Sequence, residues 1–452
     1  PQPGWVEHDA EEILAAQRAT IDDAVAAAGD PPVAAVGIAN QRETVVVWDR
    51  ATGKPVAPAI VWQCRRTTDT CRSLRAAGAE PEVRARTGLL LDPYFSATKI
   101  AWMLDRNPDL RRRAEAGELA AGTIDTWLLW HLSDGAVHAT DASNASRTLL
   151  WNLKERAWDP ELCELFRVPM AVLPTVHPHG TPFATMRIGG RRVAIGAVLG
   201  DQQAALQGQG CRRPGEAKST YGTGCFLLAH AGDTMPTPPP GLLSTVAWQT
   251  EERTEYALEG SVFIAGAVVQ WLRDEMGLIR SAEETAELAA SVPDTGGVHF
   301  VPAFTGLGAP WWRPDARGII DGITRGTNRA HIVRAALEAI AFQNRDVLSA
   351  MDVALPQPIR RLQVDGGACR NDFLMQFQAD ILGIPVRRPA HHETTALGAV
   401  RMAARSLGIG EIGDGGSGGD ARTFEPGMDA AKRAAAIEGW RKAVGRQLGG
   451  DD

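Results

Sequence analysis

An apolar run, Val193 to Leu199, ends abruptly in Gly200-Asp201-Gln202-Gln203, and a polar stretch then leads to Tyr221-Gly222-Thr223-Gly224-Cys225. The run reads as a buried strand, and the Gly-Asp step as the turn into a helix of small residues. An acid on the first turn of a helix can accept a proton from a substrate hydroxyl. A Gly-Thr-Gly turn can offer backbone N–H groups and a hydroxyl to phosphate. Base and phosphate cradle so close in sequence point to phosphoryl transfer to an alcohol. Two plainer readings stand beside this one: Asp201 as a helix N-cap, and Tyr221 to Cys225 as a β-hairpin turn.

Strands and helices alternate along the rest of the chain. Asp9 and Glu12 make a capping-box-like start for a helix carrying Ile13, Leu14 and Ile21 and ending near Gly29. Strands are expected over 33–38, 44–48 and 59–62, with helices over 65–77, 98–106 and 159–166. Beyond Gly200, strands are expected over 218–226, 257–262 and 362–364, the last ending in Asp365-Gly366-Gly367, with helices over 266–275 and 331–353. The alternation predicts an α/β protein. At 452 residues the chain is too long for one compact core, and two or three domains are expected. Glycines and prolines cluster over 208–216, which divides the chain into domains over 1–208 and 209–452. Residues 408–420 read as a Gly-rich surface loop.

A net charge of −7 gives no electrostatic reason to expect nucleic acid or an anionic membrane as partner. No apolar run approaches the ~20 residues that span a bilayer, and no signal-peptide pattern precedes Pro1, so a cytoplasmic location is expected. Six cysteines lie scattered without a CxxC pair and are expected to be reduced and buried. His177 with His179, and His391 with His392, are the close histidine groupings; solvated loops are expected at both. No metal ligand set is assigned.

Several short motifs can carry polar chemistry. Asn40-Gln41-Arg42-Glu43-Thr44 sits at the C-terminal end of an apolar strand, where a donor fork beside an acceptor suits a polyol. A solvated strand end with an ion pair would look the same. Trp62, in Trp62-Gln63-Cys64-Arg65-Arg66, can wall a carbon backbone or fill a core. Asp92-Pro93-Tyr94-Phe95-Ser96 places a phenol in a constrained turn, as a hydroxyl-binding group or as structure. Gly266 and Gln270 share a helix face, and Gly366-Gly367 precedes Asn371; both give clearance and amide donors for a nucleotide.

The stretches PGWVEHD, NQRET, WQCRR, DPYFS, GDQQAA, TYGTGC, ALEGSVFIAGAVVQWLRDEM, PAFTGLGAPWW, TRGTNRAHIVRAALE and VDGGACRNDFLMQFQADILG resemble the FGGY family of carbohydrate kinases, in particular its glycerol-phosphorylating members. The resemblance runs from Pro1 to about Val444. It implies two actin-like (ribonuclease-H-like) α/β domains with ATP and substrate in the cleft between them. It implies that Arg42, Glu43, Tyr94, Asp201 and Gln202 bind glycerol, that Trp62 and Phe226 form an apolar wall, and that Asp201 is the general base. Contacts to ATP are implied for Thr223, Gly266, Gln270, Gly367 and Asn371, with Mg²⁺ as the accompanying ion and a homodimer or homotetramer as the assembly. Another FGGY polyol or ketose kinase, and a non-catalytic nucleotide-binding protein of the actin-like superfold, are the alternatives.

Two departures from the family pattern carry expectations of their own. Family members begin with a hairpin bearing Asp-x-Gly-Thr-Thr-Ser, which binds magnesium and the nucleotide phosphates. Here Pro1 falls just after that region, so the first domain is expected to be N-terminally truncated and the chain as written inactive. The loop that binds a sugar bisphosphate in regulated members is reduced to Gly189-Gly190-Arg191-Arg192.

Overall fold

Asp9 caps the opening helix, Ala10–Ala27, by accepting from the backbone N–H groups of Glu11 and Glu12. This helix leads into a first domain built on two small sheets. One runs in the order Glu7–His8, Ala59–Ile60, Val45–Asp49, Leu119–Thr123; the other in the order Ala184–Ile188, Arg191–Gly200, Val36–Asn40. The computed structural model describes residues 2–391, 393–410, 412–413 and 421–449, so most of the Gly-rich stretch over 408–420 lies outside the described residues.

Val36–Asn40 runs parallel to Arg191–Gly200, with Ile38 opposite Val198 and Asn40 opposite Gly200. That register delivers Arg42 and Asp201 to the same end of the sheet, where open α/β sheets present ligand groups. The strand therefore sits later than the expected 33–38. Apolar patterning stops before Asn40, because it cannot register a polar side chain that is satisfied internally. Asn40 Nδ2 donates to Asn144 Oδ1 at 3.0 Å and to Asp125 Oδ1 at 3.3 Å. At the far end of the same sheet Ile188 pairs with Arg191. Gly189 and Gly190 make the two-residue turn, at φ of 53° and 76°, a region that glycine enters without strain.

The second domain carries a seven-stranded sheet in the order Leu243–Gln249, Thr254–Val262, Cys225–Gly232, Ala217–Tyr221, Leu362–Asp365, Val386–Arg388, Arg422–Phe424. Its first four strands are antiparallel neighbours, and Ala217–Tyr221, Leu362–Asp365 and Val386–Arg388 are parallel. Residues 218–226 form the hairpin turn that stood as the plainer reading of Tyr221 to Cys225: Gly222 to Gly224 reverse the chain and set Tyr221 opposite Cys225, so strand lies on both sides of the turn. The long helix Arg329–Asp352 starts on a capping box between Asn328 and His331 and buries Val333, Leu337, Ile340 and Val347. Phe342 of that helix stacks on Trp440, with ring centroids 5.2 Å apart, and Trp440 Nε1 donates to Asp346 Oδ2 at 2.7 Å.

Helix Asp201–Gly208 packs on helix Thr394–Ser406 glycine against backbone. A Cβ on Gly208 would stand 1.8 Å from Thr394 O, and one on Gly398 1.7 Å from Ala204 O. Only glycine allows that approach. All six cysteines are free and buried. One histidine expectation is overturned. His179 is buried, with Nδ1 3.1 Å from Gln249 O and Nε2 2.9 Å from Val198 O, so carbonyl groups hold the ring rather than water. Spacing in sequence cannot show those two acceptors. His177 is half-buried, and His392 lies outside the described residues.

Candidate active site

Arg42 and Glu43 follow the strand end as expected, but their charges are not free. Glu43 adopts a left-handed backbone, φ 61°, uncommon for a residue with a side chain and worth ~1–3 kcal/mol of strain. Arg147 Nε donates to Glu43 Oε1 at 2.6 Å. The Arg42 guanidinium meets Glu259 as a fork, Nη1 to Oε2 at 2.5 Å and Nη2 to Oε1 at 3.0 Å. Arg147 Nη2 reaches the same Oε1 at 2.9 Å. Two guanidiniums and two carboxylates thus share one buried cluster, and Asp201 Oδ1 stands at its rim, 3.4 Å from Arg42 Nε.

The electrostatics follow from burial and pairing. Burial alone would push the Glu259 carboxyl up, but Arg147 and Arg42 outweigh it and hold the pKa at about 2. For Glu43 burial wins over the same two arginines, and its pKa is raised. Burial disfavours the Arg42 cation, yet Glu259, Glu43 and Asp201 keep its pKa above the ordinary value. Glu259 is therefore the carboxylate that carries the pairing.

Beside this cluster stands an aromatic corner. Trp62 meets Tyr94 edge to face, with ring centroids 5.5 Å apart at 80°. It meets Phe226 in the same way, at 6.3 Å and 84°. The Arg147 guanidinium carbon lies 5.6 Å from the centroid of the Tyr94 ring. Lys99, itself buried, donates from Nζ to Tyr94 O at 2.6 Å and fixes that turn from beneath. Burial, with Glu43 second, raises the pKa of the Tyr94 phenol, which keeps it a hydrogen-bond donor at neutral pH.

Asp201 is the first residue of its helix, and Gly200 takes the cap position. Its Oδ1 accepts from the N–H of Gln202 at 2.7 Å, and its side chain is 36% exposed, in contrast to the sealed Arg42. Gln202 does not turn to the Arg42 cluster. Its Oε1 accepts from Lys218 Nζ of the second domain, and the same ammonium donates to Thr220 Oγ1 at 3.0 Å.

The residues expected to contact ATP gather at the C-terminal ends of the parallel strands. Gly266 N donates to Gly222 O at 2.9 Å and Ala265 N to Thr223 O at 2.8 Å, tying the hairpin turn to the start of helix Gly266–Asp274. A Cβ on Gly266 would lie 2.6 Å from Gly222 O. Gly366 packs with equal closeness, a Cβ there lying 2.5 Å from Tyr221 O, whereas one on Gly367 would meet nothing within 4 Å. Thr223, Gln270 and Gly367 are exposed at this junction. Asn371 is already engaged: its amide donates to Thr285 Oγ1 at 2.9 Å and its carbonyl oxygen caps helix Asp372–Leu382 at Leu374 N.

Arg147, Glu259 and Lys218 were not among the residues singled out from sequence. The available signal was for Glu259 alone, a charge inside the largely apolar strand Thr254–Val262; Lys218 lies in the polar strand Ala217–Tyr221, where a lysine is unremarkable in sequence, and both side chains are fully buried. A cavity of about 410 Å³ lined by Arg213, Arg360 and Arg361 opens at the other ends of the parallel strands, away from this chemistry.

Comparison with known proteins finds two family domains in the chain. Residues 1–208 match the N-terminal domain of the FGGY family of carbohydrate kinases, and residues 217–407 match its C-terminal domain. The chain is 55% identical to a glycerol kinase of Trichlorobacter lovleyi, over 99% of this chain and 92% of that one. It is 53% identical to a glycerol kinase of Shewanella amazonensis with the same coverage. Its structure superposes on Plasmodium falciparum glycerol kinase with ADP at a TM-score of 0.93 and 36% identity, covering 99% of this chain and 91% of that one. A xylulose kinase of Lactobacillus acidophilus, 20% identical, shares the fold at a TM-score of 0.87. Two matched domains, full-length relatives and a common two-domain actin-like fold lead to one assignment: the chain belongs to the FGGY family of carbohydrate kinases.

Proposed function

We propose that this protein transfers the terminal phosphoryl group of ATP to a terminal hydroxyl of glycerol, giving sn-glycerol 3-phosphate. The observation that carries the reading is the gathering of Arg42, Asp201, Tyr94, Trp62 and Phe226 in one corner at the junction of the two domains. The glycerol kinases to which the chain is 52–55% identical support it. Arg42, Glu43, Tyr94 and Gln202 take the hydroxyls, and Trp62 with Phe226 lines the carbon backbone. Asp201, the one exposed carboxylate of the corner, accepts the proton of the attacking hydroxyl as the new O–P bond forms and the bond to the ADP oxygen breaks. A positioned base contributes a factor of ~100 to 10,000, and alignment of the reactants supplies much of the rest.

ATP fits the cradle at Thr223, Gly266, Gln270, Gly367 and Asn371, since the bare face of Gly367 and the exposed Gly222-Thr223 turn leave room for phosphates against backbone. Mg²⁺ fits as an ion held mainly by phosphates and water. Among the described residues no group of three or more His, Cys, Asp or Glu side chains is placed to hold a metal, so the ion would reach the site with the nucleotide phosphates. When bound, the ion would offset charge on the phosphates. The reading extends to a cytoplasmic homodimer or homotetramer, which light scattering on the purified protein resolves.

The test is glycerol-dependent ADP release by the protein expressed from its full coding sequence, measured beside erythritol and a set of pentuloses. Preferential turnover of glycerol supports the reading. Absence of turnover, or preference for a pentulose, overturns it.

A further inference from the structure

Two first-domain residues of the corner end on charged side chains of the second domain. Arg42 lies on the forked carboxylate of Glu259, from strand Thr254–Val262. Gln202 accepts from the ammonium of Lys218, from strand Ala217–Tyr221. Both second-domain side chains are 0% exposed. The partners of Lys218 Nζ are neutral ones, Gln202 Oε1, Thr220 Oγ1 at 3.0 Å and the Phe226 carbonyl at 3.4 Å. Burial lowers the Lys218 pKa, and the carboxylates of Asp365 and Asp201 oppose that shift from beyond the hydrogen-bonded partners; sealing such a side chain is costly, so its geometry needs a reason.

We infer that Glu259 and Lys218 are positioning residues that complete the substrate clamp from the second domain, each holding a first-domain clamp residue in its binding geometry. The inference rests on the functional reading above. Glu259 sets the plane of the Arg42 guanidinium by a two-point contact and leaves Nε facing Asp201 at 3.4 Å. Arg147, bridging Glu259 Oε1 and Glu43 Oε1, passes the same constraint to the second clamp residue. Lys218 fixes the Gln202 carbonyl oxygen, which leaves the amide N–H groups to face a substrate oxygen. Glu259 and Lys218 end on the clamp side chains themselves, so each acts through the residue it holds.

The experiment compares Glu259→Gln, Lys218→Met and Lys218→Arg with the wild type, reading KM for glycerol, KM for ATP, kcat and Tm. Glu259→Gln keeps shape and loses charge; it should raise the glycerol KM by about 10- to 100-fold and leave the ATP KM within about twofold. Lys218→Met should behave in the same direction, and Lys218→Arg should recover part of the loss. In an Arg42→Ala background, Glu259→Gln should add clearly less than it costs alone, because one of the two residues it acts through is gone and only the route through Arg147 to Glu43 remains. Should either variant fail to fold, the other carries the comparison. A lower Tm is expected in either case, since the variant breaks a buried pair; a merely structural role would move both KM values together and add in full to Arg42→Ala, and that result, or unchanged KM values, overturns the inference. The wild-type rate is read first: if glycerol-dependent turnover is absent there, the functional reading fails and the positioning role falls with it, whereas normal wild-type turnover with an unsplit variant pattern defeats the positioning role alone.

Discussion

Trp62 and Phe226 meet edge to face with ring centroids 6.3 Å apart, although one follows a first-domain strand and the other begins the second strand of the second-domain hairpin. The contact makes one apolar surface out of two domains. Because both rings are only half-buried, part of that surface remains open to a ligand.

Phe226→Ala should weaken glycerol more than ATP. Removing the ring takes away the edge-to-face contact and part of the surface against which the carbon backbone rests. An aromatic pair is worth ~0.5–1.5 kcal/mol beyond area burial, so the glycerol KM should rise roughly 3- to 10-fold. Steady-state kinetics with each substrate varied in turn decides it; an equal rise in both KM values would place Phe226 outside the polyol wall.

Asp201→Asn should remove phosphoryl transfer and spare binding. The amide preserves shape at the first position of helix Asp201–Gly208 but cannot take a proton. The expected loss in kcat is ~100- to 10,000-fold, with glycerol affinity within a modest factor. Binding measured by calorimetry beside turnover separates the two effects. Near wild-type kcat would show that Asp201 is not the base.

Arg42→Ala should act on both binding and stability. A lost charge-assisted hydrogen bond of ~1.5–3 kcal/mol corresponds to a glycerol KM raised by about 10- to 100-fold. The substitution also leaves Glu259 with Arg147 as its remaining guanidinium, and breaking a buried pair costs ~3–5 kcal/mol. Tm should therefore fall together with the rise in KM, and Arg42→Lys should recover stability better than affinity. An unchanged glycerol KM would take Arg42 out of the site.

The motifs that sequence reading singled out are those at strand ends and Gly turns, where chain chemistry is local. Asp201 after Gly200, and Tyr94 after Pro93, advertise themselves by position. Glu259 and Arg147 do not. Arg42 and Glu259 are 217 residues apart in sequence, and their meeting depends on how two domains pack. The α/β alternation was legible from apolar periodicity, but the split of the first domain into several small sheets was not, since pairing order is set by tertiary packing. Periodicity also stopped the strand Val36–Asn40 too early, because internal hydrogen bonds make Asn40 behave as a core residue.

Fructose 1,6-bisphosphate at low millimolar concentration should leave activity unchanged. Gly189 and Gly190 form a two-residue turn closed by the pairing of Ile188 with Arg191, which leaves no loop long enough to wrap a bisphosphate. Non-competitive inhibition in a titration against the wild type would refute this.

Lys99 offers a pH test that depends on one buried group. Its Nζ donates to Tyr94 O at 2.6 Å and is sealed from solvent. Burial draws its pKa from the ordinary 10.5 down to about 7, and Glu43 opposes the shift only in part. Between those two values the unfolded chain holds a proton that the folded chain has released. Stability contributed through this lysine therefore rises with pH across that window and is lowest below it. The slope is at most about 1.4 kcal/mol per pH unit. Lys99→Met keeps the length of the side chain and removes the titration. Denaturation of wild type and variant at a series of pH values from 6 to 10 should show the difference between them moving toward the wild type above about pH 7. Parallel curves across the series would mean that Lys99 keeps an ordinary pKa in the folded protein.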